Sequence, residues 1–126
     1  MTDAILKFTP SHEWVKPDNL QYAVGITDHA QALLGDIVYV ELPAVGTTFQ
    51  AGDSMAVIES VKAAADVYAP ISGTITAINP VIQQNPGLIN TDPYQAGWLV
   101  QLTATHPTEL TALLDETDYQ NSLSEH

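Results

Sequence analysis

Lys62 is one of three lysines in a chain of 126 residues that has no arginine and fifteen acidic residues, for a formal net charge of −12. It lies in Glu59-Ser60-Val61-Lys62-Ala63-Ala64-Ala65-Asp66-Val67-Tyr68-Ala69-Pro70, between two short apolar segments with strand character. A cation kept at such a place in so anionic a chain suits the chemistry of its amine better than charge balance. A primary amine on a turn either accepts an acyl group in amide linkage or condenses with a carbonyl as a Schiff base. The second use needs a desolvated amine of lowered pKa, and a hairpin tip in an acidic chain argues against it. The plain alternatives are a solvated turn lysine and a structural adaptor in which Lys62 carries nothing.

Other constellations carry less. The chain has no cysteine, which excludes a disulfide framework, a thiolate metal site and cysteine nucleophilic catalysis. Any redox sulfur therefore comes from outside the polypeptide. His12, His29, His106 and His126 show no paired metal-ligand spacing and read as scattered structural or surface residues. Ser11, His12 and Glu13 are the residue types of a hydrolase triad, but adjacency is not triad geometry and no nucleophile elbow surrounds the serine. No glycine-rich phosphate loop is present. Trp14 and Trp98 suit core packing, with lining of a cleft as the second use.

Three dispersed lysines do not supply the clustered cations that phosphate contacts need, so nucleic acid is excluded as a partner. The acidity serves solubility and steering toward basic partner surfaces. No segment approaches the ~20 apolar residues that span a bilayer, so no membrane role is expected. The N-terminal Met1 to Phe8 carries an early acid and no apolar run of secretory length, which argues against a signal peptide. The expected compartment is the cytoplasm, or the mitochondrial matrix for a mature organellar protein.

These residues have to be positioned by a β framework. Short apolar runs punctuated by Gly, Pro, Asn and Asp predict a small all-β sandwich or barrel. The strands expected are Glu13 to Val15, Tyr22 to Gly25, Asp36 to Leu42, Ser54 to Ser60, Ala64 to Tyr68, Gly73 to Ile78 and Trp98 to Thr103. Turns are expected at Pro17-Asp18-Asn19, Ala51-Gly52-Asp53, Pro70-Ile71-Ser72-Gly73, Asn79-Pro80 and Asn85-Pro86-Gly87. Thr27 to Leu34 reads as one short helix capped by Thr27 or Asp28 and ended by Gly35. His106-Pro107 opens a second helical region, with Leu110, Leu113 and Leu114 at helical spacing and Thr117 to Leu123 as a further short helix or tail. The whole chain, residues 1–126, fits one domain with a helical C-terminal extension from about residue 105. If Ser54 to Ser60 pairs with Ala64 to Tyr68, then Lys62 projects from the turn between them, with small Ala63, Ala64 and Ala65 beside it.

The stretch from Thr9 to Trp98 resembles the H protein of the glycine cleavage system. The resemblance runs through Ser11-His12-Glu13-Trp14-Val15, Gly25-Ile26-Thr27-Asp28-His29-Ala30-Gln31, Leu34-Gly35-Asp36-Ile37-Val38-Tyr39-Val40-Glu41-Leu42-Pro43, Glu59-Ser60-Val61-Lys62-Ala63 and Asp92-Pro93-Tyr94 with Gly97-Trp98. Five blocks in order at compatible spacing make it specific. Biotin carriers usually flank the lysine with methionines, and lipoyl domains of 2-oxoacid dehydrogenases commonly place Asp before it. Val61 and Ala63 depart from both patterns and favour the H protein.

The resemblance implies a mainly β, lipoyl-type flattened barrel of two antiparallel sheets, a barrel-sandwich hybrid, with short helices including a C-terminal one. It implies that Lys62 carries lipoate in amide linkage and that lipoate-attaching enzymes read Glu59. It further implies a carrier rather than an enzyme, passing the aminomethyl group of glycine between glycine decarboxylase with pyridoxal phosphate, the tetrahydrofolate-dependent aminomethyltransferase and the FAD- and NAD-dependent dihydrolipoamide dehydrogenase. In that family the loaded arm folds into a surface cleft, and the matching residues are Ser11, Glu13 and Asp66, with the two carboxylates as counter-charges to an ammonium. Outside that role Ser11 reads as a turn serine, Glu13 and Asp66 as exposed carboxylates, and Glu59 as a solvated strand-end residue. A use mainly in lipoate relay to other enzymes needs the same lysine and stands as the alternative within the carrier class.

Overall fold

The computed structural model describes residues 6–18 and 21–124. Among the described residues, nine strands form two antiparallel sheets. Strands β1 (Lys7–Phe8), β2 (Glu13–Asp18), β3 (Gln21–Ile26), β5 (Thr48–Phe49), β8 (Gly73–Ile78) and β9 (Val100–Ala104) form a six-stranded sheet in the order β1-β2-β3-β9-β8-β5. Strands β4 (Ile37–Glu41), β6 (Ser54–Ser60) and β7 (Ala64–Tyr68) form a three-stranded sheet in the order β4-β6-β7. The expected flattened barrel is therefore a pair of open sheets rather than a closed cylinder. Val15, Val24, Ile75 and Leu102 from the larger sheet pack with Val40, Ile58 and Val67 from the smaller in one buried core. Full burial of each such side chain stabilises by roughly 1.5–3 kcal/mol.

Alternation along β2 decides which side chains meet the core. Glu13 and Val15 share the face toward the second sheet, while Trp14 and Lys16 point to the outer face. Trp14 lies flat over Gly25, its cross-strand partner, where a Cβ would stand 2.6 Å from the indole ring. Only glycine fits there. Pro17 and Asp18, expected in a turn, instead end β2, where β1 no longer runs alongside and a missing N–H is tolerated. Asn19 lies outside the described residues.

Helix α1 (Asp28–Leu34) is capped as the sequence predicts. Thr27 Oγ1 accepts from the Ala30 N–H at 3.2 Å, and Gly35 ends the helix at φ 80°. Two helices were not expected, α2 (Pro80–Gln84) and α3 (Gly87–Thr91). The Asn79-Pro80 pair read as a turn is an N-cap and first-turn proline, with the Val81 N–H donating to Asn79 Oδ1 at 3.1 Å. Asn90 of α3 then holds the end of α1, donating to the Gly35 carbonyl at 2.9 Å and to Gln31 Oε1 at 2.9 Å.

The C-terminal region departs from a simple helix start. Pro107–Ala112 is 3₁₀, after which Leu114 extends to exchange two backbone hydrogen bonds of 2.8 Å with Phe8. Leu113 and Leu114 therefore leave the helical spacing. Asp115 restarts the chain as helix α4 (Glu116–Ser124), its Oδ1 accepting from the Asp118 N–H at 2.8 Å. The parts of the terminal expectations that involve Met1 to Ile5 and residues 125–126 fall outside the described residues.

Candidate functional site

Strands β6 and β7 are joined by a tight turn with Val61 and Lys62 at its centre. The Ser60 N–H donates to the Ala63 carbonyl at 2.7 Å, and Ser60 Oγ accepts from the backbone N–H of Ala63 at 3.1 Å and of Lys62 at 3.3 Å. One serine thus satisfies the turn amides. The Val61 N–H donates to the Asp36 carbonyl at 3.0 Å, which ties the turn to the start of β4. Lys62, Ala63 and Ala64 are exposed, and Val61 is 70% exposed. The lysine stem lies over Gly35 at the end of α1, where an added Cβ would stand 3.4 Å from Lys62 Cε.

A cleft of about 170 Å³ opens between α1 and β7. Leu33 and Leu34 form its helical wall, Ala65 and Asp66 its strand wall, and Ser11, His12 and Glu13 its far end. Helix α1 runs from the Thr27 N–H, which donates to the His12 carbonyl at 3.0 Å, to Gly35 beneath Lys62. Seven helical residues span about 10 Å, and the four steps from Ala64 to Tyr68 span about 13 Å. The two walls agree that the Glu13 end lies about one short helix from the lysine.

Glu13 is not the exposed carboxylate that one reading of the sequence expects. It is 2% exposed, because the alternation of β2 turns it inward beside Val15. Its Oε1 accepts from Thr9 Oγ1 at 2.5 Å and Ser11 Oγ at 2.6 Å, and its Oε2 accepts from the Tyr68 N–H at 3.2 Å. No cation pairs with it among the described residues. Burial raises its pKa above the ordinary carboxylate value, while the bonds from Ser11, Thr9 and the Tyr68 amide restrain the rise. A desolvated carboxylate with three donors and no counter-ion attracts a cation that enters the cleft. Asp66 is exposed on the strand wall and accepts from Ser54 Oγ at 3.1 Å, which adds a second negative charge.

Ser11, Glu13 and Asp66 thus line one cleft. Glu59 is exposed at the end of β6, cross-strand to Tyr39 and Ala64, beside the lysine turn and outside the cleft. Trp14 and Trp98 do not line the cleft. They flank a separate recess of about 490 Å³ on the outer face of the six-stranded sheet, and the Trp14 indole N–H donates to the Pro93 carbonyl at 3.0 Å. His12 and His29, expected to be scattered, meet with ring centroids 4.8 Å apart. No group of metal-ligating side chains assembles among the described residues.

Sequence reasoning missed Thr9, Tyr119 and the turn role of Ser60, and it read Thr27 as a helix cap without its bond to Tyr119. Thr9 stands four residues before Glu13 across a turn in which His12 takes φ 75°, so the hydroxyl meets the carboxylate only once the chain reverses. The run of short polar residues ahead of a strand was the available signal.

The family model described as glycine cleavage H-protein matches residues 6–126. A glycine cleavage system H protein of Legionella pneumophila is 55% identical over 120 residues, which is 95% of this chain and 96% of that relative. One from Shigella dysenteriae is 50% identical over 123 residues, 97% of this chain and 95% of the relative. The crystal structure of a glycine cleavage system H protein from Mycobacterium marinum superposes with a TM-score of 0.88 at 37% identity, covering 98% of this chain and 99% of that one. This chain belongs to the glycine cleavage H-protein family. It is a lipoate-bearing carrier component of the glycine cleavage system and not a catalytic enzyme. These relatives are bacterial, and no helix among the described residues is long and apolar enough to cross a membrane.

Proposed function

We propose that Lys62 is the lysine that carries lipoate, and that the cleft between α1 and β7 receives the loaded arm with Glu13 as the main counter-charge, aided by Asp66 and Ser11. Lipoate supplies a disulfide that is reduced as the aminomethyl group of glycine is taken up. The protein's own residues do the rest. Ser60 orders the turn amides, Ala63 to Ala65 leave the amine open to a modifying enzyme, and Glu59 is the carboxylate such an enzyme reads beside it. The cargo has one carbon bonded to both nitrogen and sulfur, and an unprotonated nitrogen lone pair expels the sulfur. Glu13 holds that nitrogen as ammonium by charge and hydrogen bonding, at a depth where solvent screens little.

The observation that carries this reading is a buried carboxylate with no cation paired to it among the described residues, one helix length from an exposed lysine turn. An amine used for Schiff-base catalysis is desolvated, whereas Lys62 is exposed. The residues fit an attached arm. The partners in this reading are glycine decarboxylase, the aminomethyltransferase, dihydrolipoamide dehydrogenase and the lipoate-attaching enzymes, in the cytoplasm. Tethering replaces separate diffusional encounters with local delivery to each. The whole chain acts as one carrier domain.

Intact mass of protein from its native host, followed by peptide mapping, tests the attachment. The expected result is one lipoyl mass on Lys62, absent in Lys62→Arg, which keeps its fold and supports no glycine decarboxylation with the partner enzymes. Lipoate on Lys7 or Lys16 overturns it.

A further inference from the structure

We infer that the Tyr119 hydroxyl is a positioning group for the cleft, fixing both of the segments that carry its far end. This rests on the reading of the cleft as the seat of the loaded arm. Tyr119 sits on α4, distant in sequence, and is 1% exposed. Its hydroxyl lies 2.8 Å from His12 Nδ1 and 2.7 Å from Thr27 Oγ1. His12 is the residue at φ 75° that turns the chain between Ser11 and Glu13. Thr27 caps α1, the helical wall. One phenol thus bridges the two ends that must keep register if Ser11 and Glu13 are to face α1 and β7.

The chemistry of the three groups makes the bridge tolerant of proton position. Thr27 Oγ1 already accepts from the Ala30 N–H, so its own proton is available to the phenol oxygen. With His12 Nδ1 as acceptor, Thr27 donates to Tyr119 and Tyr119 donates to His12. With Nδ1 protonated, both donations reverse: His12 donates to the phenol and the phenol to Thr27 Oγ1, which then accepts twice and no longer has the phenol as acceptor for its own proton. The ring is held apart from these bonds, stacked on Phe8 with centroids 4.7 Å apart and planes 9° apart. Asp115 caps the helix that presents it. Packing and positioning are therefore separable by mutation.

Tyr119→Phe removes the bridge and keeps the stack, while Phe8→Leu weakens the stack and keeps the bridge. In apo Tyr119→Phe the ¹⁵N shift of His12 Nδ1 should move, and in Phe8→Leu it should stay. In the aminomethyl-loaded protein, Tyr119→Phe should lose ammonia and formaldehyde roughly three- to tenfold faster, the scale of one lost hydrogen bond. Lipoate attachment to Lys62 and reoxidation of the empty arm should be unchanged. Phe8→Leu should melt lower with wild-type cargo loss. An unmoved His12 shift in Tyr119→Phe overturns the bridge, and equal acceleration in Phe8→Leu overturns positioning in favour of general stability. Glu13→Gln, run in parallel, separates the two levels. Acceleration there with wild-type decay in Tyr119→Phe sinks only the present inference, and wild-type decay in both sinks the cleft reading as well.

Discussion

The backbone N–H of Tyr68 donates to Glu13 Oε2 at 3.2 Å, a bond that crosses from the three-stranded sheet to the six-stranded one. Tyr68 ends β7, an edge strand, so its outward amide has no ladder partner to give it. The carboxylate takes that place and closes the cleft from behind. Glu13 is thereby fixed at both oxygens, one by hydroxyls of its own turn and one by the opposing sheet. A counter-charge held in this way needs no reorganisation when a cation arrives, which is the property that makes a fixed polar group effective.

Glu13→Gln keeps the shape and removes the charge. Loss of ammonia and formaldehyde from the loaded protein should accelerate as pH rises, and the acceleration should start at lower pH in the variant, because the amine gives up its proton more readily without the carboxylate. Decay followed between about pH 6 and 9 covers an amine titration. Identical profiles for variant and wild type would leave Glu13 as a structural tie between sheets.

The same residue makes a signed prediction for stability. Burial raises the folded-state pKa of Glu13 above its unfolded value, so between the two values the native state binds the extra proton. Stability linked to this group is therefore full below about pH 4.5 and is lost as pH rises through the folded-state value. Glu13→Gln has no such term, and any mispairing of its amide with the Tyr68 N–H is an offset independent of pH. The melting temperature of wild type relative to the variant should thus improve on acidification from neutral pH. A difference that stays flat, or moves the other way, contradicts a raised pKa.

How much of this was legible depended on the range over which each contact forms. Strands β6 and β7 and the capped helix α1 are read directly, because alternation, Thr27 and Gly35 act within a few residues. The lysine turn follows from their pairing. The burial of Glu13 was not legible, since the charge argues for solvent and only the parity of β2 against the second sheet turns it inward. Tyr119 and Thr27 are 92 residues apart, so nothing local links them. Helices α2 and α3 have five residues each, too short to show a periodic apolar face, yet Asn90 of α3 is what holds the end of α1 beneath Lys62. Leu114 broke the helical spacing because pairing with Phe8 outweighs it.

The core lies between the sheets and away from the lysine turn, so the protein should fold without its cofactor. Modification changes an exposed residue, a class that shifts stability by less than about 0.5 kcal/mol. Apo and lipoylated protein should melt within a few degrees of each other by calorimetry. A cooperative transition that appears only after modification would contradict this placement of the core.

Gly35 joins the helix wall to the lysine and makes the last prediction. Its φ of 80° with ψ of −158° is a nearly glycine-only conformation that costs an L residue roughly 1–3 kcal/mol. An added Cβ would also stand 3.4 Å from Lys62 Cε, an end that swings aside at little cost. The backbone strain should therefore dominate in Gly35→Ala, lowering the melting temperature by several degrees. Asn90 still grips the Gly35 carbonyl in the variant, so α1 should keep its position and lipoate should still reach Lys62. Lys62→Ala, which empties the space over Gly35, tests the cause. Combined with Gly35→Ala it should leave the loss of stability unchanged, because the backbone conformation is closed to any Cβ whatever lies above it. If the loss shrinks once Lys62 is truncated, crowding against Lys62 outweighs the backbone.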